Sequence, residues 1–470
     1  MGKIVILPVF VFMTTLGCKS NPEGEGPKAG KDAPKVDSKD APKVDEPAKV
    51  CAADPAWVKT PSPADSANFA STSNCAFHQW GYQSFLWLTS PAADGGLVFE
   101  GFANPKNLFV PEPGAYPGRP PGPEVLMLAR VGKSQTTADI DSIFQAGPGN
   151  KILVDQNLEP IFYSNHLNQD FWDFIAAPDH QFNLLANLQK ADPTLDFTVN
   201  SIELKASWRV AEKAGKVLIP DADERFFVVS TVIPTVSVDD EGMIVEQNDK
   251  PIEVKMALIG MHVAGVVKGH PEFIWATFEH VDNAPKCDAI PATEPAAAPT
   301  LGPSGQPWSL YDGKAPKSAA NQFDTNNPLG PVNICLAHGQ GGGSEDNTRA
   351  IVELNASVHA LQGDSKWANY ELGGAIWTNG DVPVNNGAFP PDAPTTATQL
   401  GSLQLANTTM ESFTQNDNCF ACHNAGAHEV APGGLEPSEV NAKHINLSHF
   451  VVNFQAVAQG RSSAQAKPSK

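Results

Sequence analysis

The fold is decided by residues 243–281, which read MIVEQNDKPIEVKMALIGMHVAGVVKGHPEFIWATFEHV. Two parts of this stretch, Met243–Val267 and Phe273–Val281, are apolar and rich in β-branched residues. Phe226–Val238 has the same character, and turn-forming pairs occur at Asp239-Asp240 and Asn248-Asp249. Strand-like runs separated by short turns are typical of neighbouring antiparallel strands. The sequence therefore predicts an antiparallel sheet or a sandwich in the middle of the chain.

The spacing of apolar residues predicts further strands and helices on both sides of this stretch. Apolar residues alternate in Ile202–Val210, which predicts a further strand, and helices are predicted at residues 75–88, 347–362 and 402–415. We therefore expect an α+β protein with a large β-rich domain at residues 51–400. A short α-helical segment that binds a cofactor would follow at 401–460 and pack on that domain. Residues 461–470 would be a disordered tail.

Composition narrows the class of function. The chain has 470 residues, 41% of them hydrophobic, which is enough to build a sizeable core. Its formal net charge is −20. Nucleic-acid binding needs a basic surface, so that class is excluded. A partner protein with a basic docking face is the natural complement of an acidic surface.

The N-terminus has the pattern of an export signal. Lys3 is followed by an apolar run over residues 4–13 and by Leu16-Gly17-Cys18, which resembles a bacterial lipobox. We expect residues 1–18 to be a lipoprotein signal peptide and Cys18 to carry the lipid; an ordinary cleaved signal is the alternative. Residues 19–50 are rich in Lys, Pro and Asp and lack aromatic residues, so they predict a disordered tether. Such a protein would be lipid-anchored, in the periplasm or at the outer membrane.

Seven cysteines occur in the chain. Apart from Cys18 and the pair discussed next, four remain: Cys51, Cys75, Cys287 and Cys335. An even number in an exported protein indicates disulfides, and three pairings are available. The pairs Cys51–Cys75 and Cys287–Cys335 close the shorter loops and are preferred, while four buried thiols are the alternative.

Residues 418–424 read NCFACHN and contain the spacing C-x-x-C-H at Cys419, Cys422 and His423. This is the attachment signature of c-type haem. Two cysteines three residues apart reach the two vinyl groups of one porphyrin, and the histidine that follows is directed at the iron. A thioredoxin-like redox pair and half of a zinc site are the alternatives, but a second C-x-x-C for zinc is absent from the sequence.

The second axial ligand of the iron is not fixed by the sequence. No methionine follows the motif, and Met410 before it lies in the predicted helix, where a core position is the usual role. His428 is too close to His423 to reach the other haem face. His444 and His449 follow at distances that allow the chain to reverse, and an open sixth site is the remaining option.

Four residues in the large domain suggest a second site: His262, His270, Glu279 and His280. Because His262 and His280 lie on strands predicted to be neighbours, they could form a metal or acid–base site. Buried structural histidines are the alternative. The run Gly341–Ser344 lacks the lysine of a phosphate-binding loop and predicts a flexible loop.

Several segments resemble a group of bacterial exported proteins of the cytochrome c family, which carry a single haem near the C-terminus. The matching segments are Trp80–Leu88, Ile202–Trp208, Trp275–Asn283, Tyr370–Gly373, Ala406–Phe413, Cys419–His423 and Ser448-His449. The resemblance implies one covalent haem c on Cys419, Cys422 and His423. The pair Ser448-His449 favours His449 as the second iron ligand.

Three functions remain open. A lipid-anchored carrier that passes electrons to a periplasmic redox partner is favoured, because two axial side chains let the iron change charge with little reorganisation. A haem-dependent oxidoreductase with an open sixth site is the alternative, since the large domain at residues 51–400 is about 350 residues long and could hold a substrate. A haem-based sensor or binding lipoprotein is the third.

Overall fold

The computed structural model describes residues 50–118, 143, 146, 151–192, 194–239, 244–292, 301–379, 399–423 and 444–448. The predicted signal peptide with Cys18, the tether up to residue 49, His428, His449 and the tail at 461–470 lie outside these residues. Within the described residues, no helix is both long enough and apolar enough to cross a bilayer.

The described part of the chain is a mixed α and β structure built on a large antiparallel sheet with few helices. Its strands are β1 (Phe162–Leu167), β2 (Ile202–Lys213), β3 (Lys216–Val217), β4 (Val228–Val238), β5 (Ile244–Val267), β6 (His270–His280), β7 (Tyr370–Thr378) and β8 (Gln399–Gly401). The spatial order is β1-β2-β5-β6-β7-β8, with β3 paired to β2 and β4 to β5, and every strand pair is antiparallel. The eight strands form one sheet and not two packed sheets.

The helices are short except for two. They are α1 (Ala56–Lys59), α2 (Asn74–Leu88), α3 (Pro105–Leu108), α4 (Gln169–Ala176), α5 (Leu185–Leu188), α6 (Ala222–Arg225), α7 (Glu345–Gln362) and α8 (Cys419–Cys422). The predicted helices at 75–88 and 347–362 are confirmed as α2 and α7. Each begins at a serine, Ser73 or Ser344, whose side chain accepts a hydrogen bond from a backbone N–H of the first turn.

Strand β5 runs through the predicted turn at Asn248-Asp249, so that prediction is wrong. Ile233 of β4 pairs with Ile252, but Thr235 pairs with Gln247, which means that the register shifts opposite Pro234. Proline has no N–H to donate to the ladder, and strands bulge at such positions. The turn-forming residues therefore mark an irregularity inside one long strand.

One face of the sheet, here called the helical face, is covered by α2 and α7. Its strand residues include Leu204 and Trp208 of β2 and Phe278 of β6, all buried in one apolar cluster with the helices. Aromatic rings fill this layer: Phe85 stacks on Phe278 with ring centroids 4.2 Å apart, and Phe77 stacks on Trp377 at 3.9 Å. Ring stacking of this kind adds to the burial of apolar area.

Two disulfides are present, Cys51–Cys75 and Cys287–Cys335. They are the shorter-loop pairs of the three pairings that the sequence allows. Cys51–Cys75 ties the start of the described chain to α2, and the Cys51 N–H donates to Glu353 on α7 at 2.8 Å. Loops of 24 and 48 residues correspond to roughly 3–4 kcal/mol of stabilisation per disulfide on the chain-entropy account.

The other face of the sheet, here called the motif face, is covered by irregular chain. Its strand residues include Glu203 and Lys205 of β2, Ala264 of β5 and Trp275 and Thr277 of β6. Residues 402–423 and 444–448 pack over it. The C-x-x-C-H motif therefore lies against the central strands of the large sheet.

Candidate functional site

The motif is held in place by Asn418, the residue before it. The Asn418 side chain accepts a hydrogen bond from the Phe420 N–H at 3.0 Å and so begins α8. Its amide group donates to Gln399 Oε1 at 2.8 Å and to the Leu403 carbonyl at 2.9 Å. Three hydrogen bonds from one side chain thus fix the position of the motif helix next to strand β8.

The two cysteines of the motif occupy the first and last residues of the single turn of α8. Cys419 is half-buried, is not part of a disulfide, and contacts the apolar cluster around Trp275. Burial raises the pKa of the Cys419 thiol well above its ordinary value. The thiol therefore stays protonated at neutral pH, which argues against an activated redox thiolate at this position.

His423 directly follows α8, and its orientation is fixed. Its Nδ1 lies 2.9 Å from the carbonyl oxygen of Leu447. A carbonyl oxygen only accepts, so Nδ1 carries the proton, and in the neutral ring the lone pair is on Nε2. The ring also packs on Trp275, with centroids 4.2 Å apart. This second interaction fixes the plane of the imidazole.

The surroundings of His423 are apolar. Trp275 lies in a row of cross-strand neighbours with Ala264 on β5 and Ile376 on β7. The same cluster includes further buried aromatic and aliphatic side chains, among them Phe171, Trp172, Phe174, Phe182, Phe197, Phe273, Leu405, Phe420, Ile445 and Leu447. The ring of His423 therefore borders a large apolar cluster.

Segment 444–448 closes this cluster and brings a second histidine to it. His444 Nδ1 is hydrogen-bonded to the carboxylate of Asp196, while its Nε2 is buried and has no hydrogen-bond partner in the described part of the chain. Ile445–Leu447 form one turn of 3₁₀ helix, in which the Leu447 N–H donates to the His444 carbonyl at 3.0 Å. The same turn thus holds both His423 and His444.

Ser448 ends the segment by donating a hydrogen bond to Glu203 Oε2 at 2.5 Å. Glu203 is on β2, in the cross-strand row that contains Ala264, and its side chain is buried. Burial raises the pKa of Glu203 to about 8, and the hydrogen bond from Ser448 offsets part of the rise. A carboxyl group that is mostly protonated at pH 7 therefore lies in the same layer as the motif.

Residues 402–415 do not form the predicted helix, so that prediction is wrong. Asn407 accepts hydrogen bonds from the N–H and hydroxyl of Thr409, and its own N–H donates to Glu411 at 2.8 Å. Asn and Thr side chains that bond to nearby backbone compete with the helix in this way. Met410 is buried in a separate cluster with Ile259 and Leu310, which fits the core role expected for it.

The segment instead makes polar contacts with the motif face. The Asn407 amide donates to Thr277 Oγ1 and to the Phe278 carbonyl, both at 2.9 Å, and Tyr163 donates to the Thr409 carbonyl at 2.6 Å. Thr408 donates to Glu279, whose pKa is raised by burial to about 7. These contacts fix the chain that leads into the motif.

The four residues of the suspected second site have separate partners. His262 Nε2 is 3.3 Å from Glu411, His270 is 3.0 Å from Glu272, and His280 stacks on Phe226 with centroids 4.0 Å apart. Burial lowers the pKa of His280 to about 3, so this histidine is neutral. In the part of the chain that the structure describes, no three His, Cys, Asp or Glu side chains are grouped to hold a metal ion.

The glycine run at Gly341–Gly343 is packed and not a free loop. All three residues have positive φ. A Cβ on Gly341 would lie 2.3 Å from Ser402 Cβ, so glycine is required for the chain before the motif to pass this close. The predicted flexible loop is therefore a structural support of residues 401–405.

The sequence analysis did not identify Asp196 or Glu203, nor the packing of the buried Trp275 on His423. Glu203 alternates with Ile202 and Leu204, the pattern of a strand with one solvated face, yet residues from the C-terminal part of the chain cover it.

No family model, curated protein or solved structure matches the chain.

The positions of Cys419 and His423, whose side chains the structure describes, are compatible with a covalently attached haem. The turn Cys419–Cys422 places the two cysteines three residues apart, and His423 has the tautomer that presents Nε2 to a metal. The buried Nε2 of His444 is a polar atom that lacks a partner in the same cluster. A zinc site of the four-cysteine kind would need a second C-x-x-C, which is absent from the sequence.

Proposed function

We propose that this chain binds one haem c through Cys419 and Cys422, with His423 as an axial ligand, and that it transfers electrons outside the cytoplasm. One observation supports this above all others: His423, directly after the two cysteines, donates from Nδ1 to the Leu447 carbonyl. That hydrogen bond fixes the tautomer and ring plane that an iron-bound histidine needs.

Bound haem would supply a one-electron Fe(III)/Fe(II) couple whose potential depends on axial ligands, burial and hydrogen bonding. The residues of the chain set these conditions. The hydrogen bond to Leu447 makes His423 a stronger donor, and the apolar cluster around Trp275 limits water. A rigid, dry environment keeps structural rearrangement small when an electron enters or leaves.

The rest of the proposal concerns location and partner. A lipid on Cys18 and the tether at 19–50 would hold the sheet domain at a membrane surface, in the periplasm or at the outer membrane. With a formal net charge of −20, the chain would be steered to a redox partner that has a basic docking face.

A haem-dependent oxidoreductase with an open sixth site, or a haem sensor, would share the same attachment residues. What separates them from a carrier is the coordination of the iron. A carrier has two protein ligands and does not bind carbon monoxide, whereas an open site does.

The test is maturation of the full chain in a host that attaches c-type haem, followed by mass spectrometry and the visible spectrum of the ferrous protein. We expect one covalent haem in the native chain and none in the double variant Cys419→Ser/Cys422→Ser. The matched control, Cys51→Ser/Cys75→Ser, removes two cysteines elsewhere and should keep its haem. Absence of covalent haem from the native chain, or its presence in the motif variant, would overturn the proposal.

The ferrous spectrum with and without carbon monoxide then separates the functions. A sharp low-spin spectrum that carbon monoxide does not change is the expected result for the carrier. A high-spin spectrum that shifts with carbon monoxide would contradict electron transfer as the main role and favour the oxidoreductase or the sensor.

A further inference from the structure

His444 is held by an arrangement that is common for metal-binding histidines. Its Nδ1 is bonded to the carboxylate of Asp196, a residue in the loop before β2. A carboxylate on one ring nitrogen fixes the tautomer, because Nδ1 must carry the proton, and makes Nε2 more electron-rich.

The other ring nitrogen of His444, Nε2, lacks the hydrogen-bond partner that a buried polar atom normally has. His444 Nε2 is buried, and none of the residues that the structure describes forms a hydrogen bond with it. An unpaired buried acceptor is destabilising, so native proteins rarely keep one without a reason. Asp196 and the 3₁₀ turn nevertheless hold His444 in this position.

The same turn connects His444 to the motif histidine. His444 begins the turn Ile445–Leu447, and the carbonyl of Leu447, its last residue, accepts the hydrogen bond from His423. Ile445 and Leu447 are buried in the cluster that also contains Trp275 and Phe420. Both imidazoles are therefore attached to one short element at the edge of one apolar cluster.

Resting on the proposed function, we propose that His444 is the second axial ligand of the haem iron, through Nε2, and that Asp196 is its positioning residue. This replaces the expectation that favoured His449. The ligand needs a buried, unpaired ring nitrogen whose orientation is already fixed, and His444 meets both conditions.

The proposal specifies what Asp196 contributes. Its side chain is 40% exposed, so Asp196 lies at the rim and is not a buried partner. A hydrogen-bonded carboxylate increases the donor strength of His444 and stabilises the ferric form. Weakening this contact should therefore raise the reduction potential without removing the ligand.

The test uses the matured full chain with its haem attached. His444→Ala should convert the low-spin iron to high-spin, allow the ferrous form to bind carbon monoxide, and return to low-spin when imidazole is added. His449→Ala is the matched control and should stay low-spin. Asp196→Asn should also stay low-spin, with a higher potential.

His444→Met keeps an axial ligand and guards against loss of the fold in the alanine variant. It should be low-spin with a higher potential, because a thioether ligand favours the ferrous form. If holo His444→Ala remains low-spin and inert to carbon monoxide, the inference is wrong while the proposed function stands. If the native chain carries no haem, the proposed function itself fails.

Discussion

The two faces of the sheet are built on opposite principles. The helical face is regular: α2 and α7 cover it, and α2 stacks aromatic rings on β6 and β7. The motif face is covered by irregular chain that is fixed by polar side chains, and burial raises the pKa of two of its carboxyl groups, Glu203 and Glu279. The difference indicates that stability comes mainly from the first face and the site from the second.

We expect the largest effect on stability from removing an aromatic ring of the helical face. Phe85 is fully buried and stacks on Phe278. Phe85→Ala should lower the free energy of unfolding by about 3–5 kcal/mol, the usual cost of a phenylalanine cavity, as measured by denaturant titration. The ferrous spectrum of the folded protein should be unchanged, since the ring lies on the face away from the motif.

Phe420→Ala is the counterpart on the motif face. Phe420 is also buried, but it lies within the motif helix and contacts Trp275 with ring centroids 6.5 Å apart. We expect this variant to change haem content or the spectrum even where the protein stays folded. Equal spectral effects of the two substitutions would contradict the division of roles between the faces.

The same division explains what the sequence could and could not predict. Helices α2 and α7 and strand β2 follow from the periodicity of their apolar residues, although β2 is buried on both faces over most of its length. Residues 402–415 show a similar apolar spacing, yet Asn407 and Thr408 bind the sheet and prevent a helix. Those contacts join residues about 130 apart, which no local pattern records.

The motif itself is different again. Cys419, Cys422 and His423 are recognisable from spacing alone, because attachment chemistry requires that spacing. The residues that support the motif cannot be recognised in this way. Leu447, which accepts the hydrogen bond from His423, and Glu203, which accepts from Ser448, have no sequence signature, since their roles exist only after the chain has folded.

The faces should also respond to pH in opposite ways. On the helical side, burial lowers the pKa of His78 and of His166 to about 4. Between pH 4 and 6.5 the unfolded chain binds these protons and the folded chain does not, so stability rises with pH. On the motif face, burial raises the pKa of Glu203 to about 8. Between pH 4.5 and 8 the folded chain binds this proton, so stability falls as pH rises.

The variant Glu203→Gln tests the contribution of the motif face to the pH dependence of stability. Glutamine keeps the shape and can still accept the hydrogen bond from Ser448, but it does not ionise. The difference in free energy of unfolding between variant and native chain should grow by about 3 kcal/mol from pH 5 to pH 8, in favour of the variant. Denaturant titrations across this range measure it. A difference that is constant with pH would show that Glu203 titrates normally in the folded protein.

The smallest expected effect compares two glycines of strand β5, one on each face. A Cβ on Gly265 would lie 2.5 Å from the Trp80 ring of α2, whereas one on Gly260 would lie 2.6 Å from the hydroxyls of Ser207 and Thr409. Both alanine variants overpack their face, which typically costs about 1–3 kcal/mol. Because both variants make the same substitution in the same strand, any difference between them reports on the face that each one disturbs.

The two variants should differ in their consequences. Gly265→Ala displaces Trp80 of α2, which lies on the face away from the motif, so we expect lower stability and an unchanged haem spectrum. Gly260→Ala pushes against Thr409 and the Asn407 amide, which lead into the motif. We expect it to lower haem attachment or to allow carbon monoxide to reach the iron. If Gly260→Ala leaves both unchanged, the polar contacts of residues 407–409 position the motif less strictly than their geometry indicates, and the apolar cluster around Trp275 must do so instead.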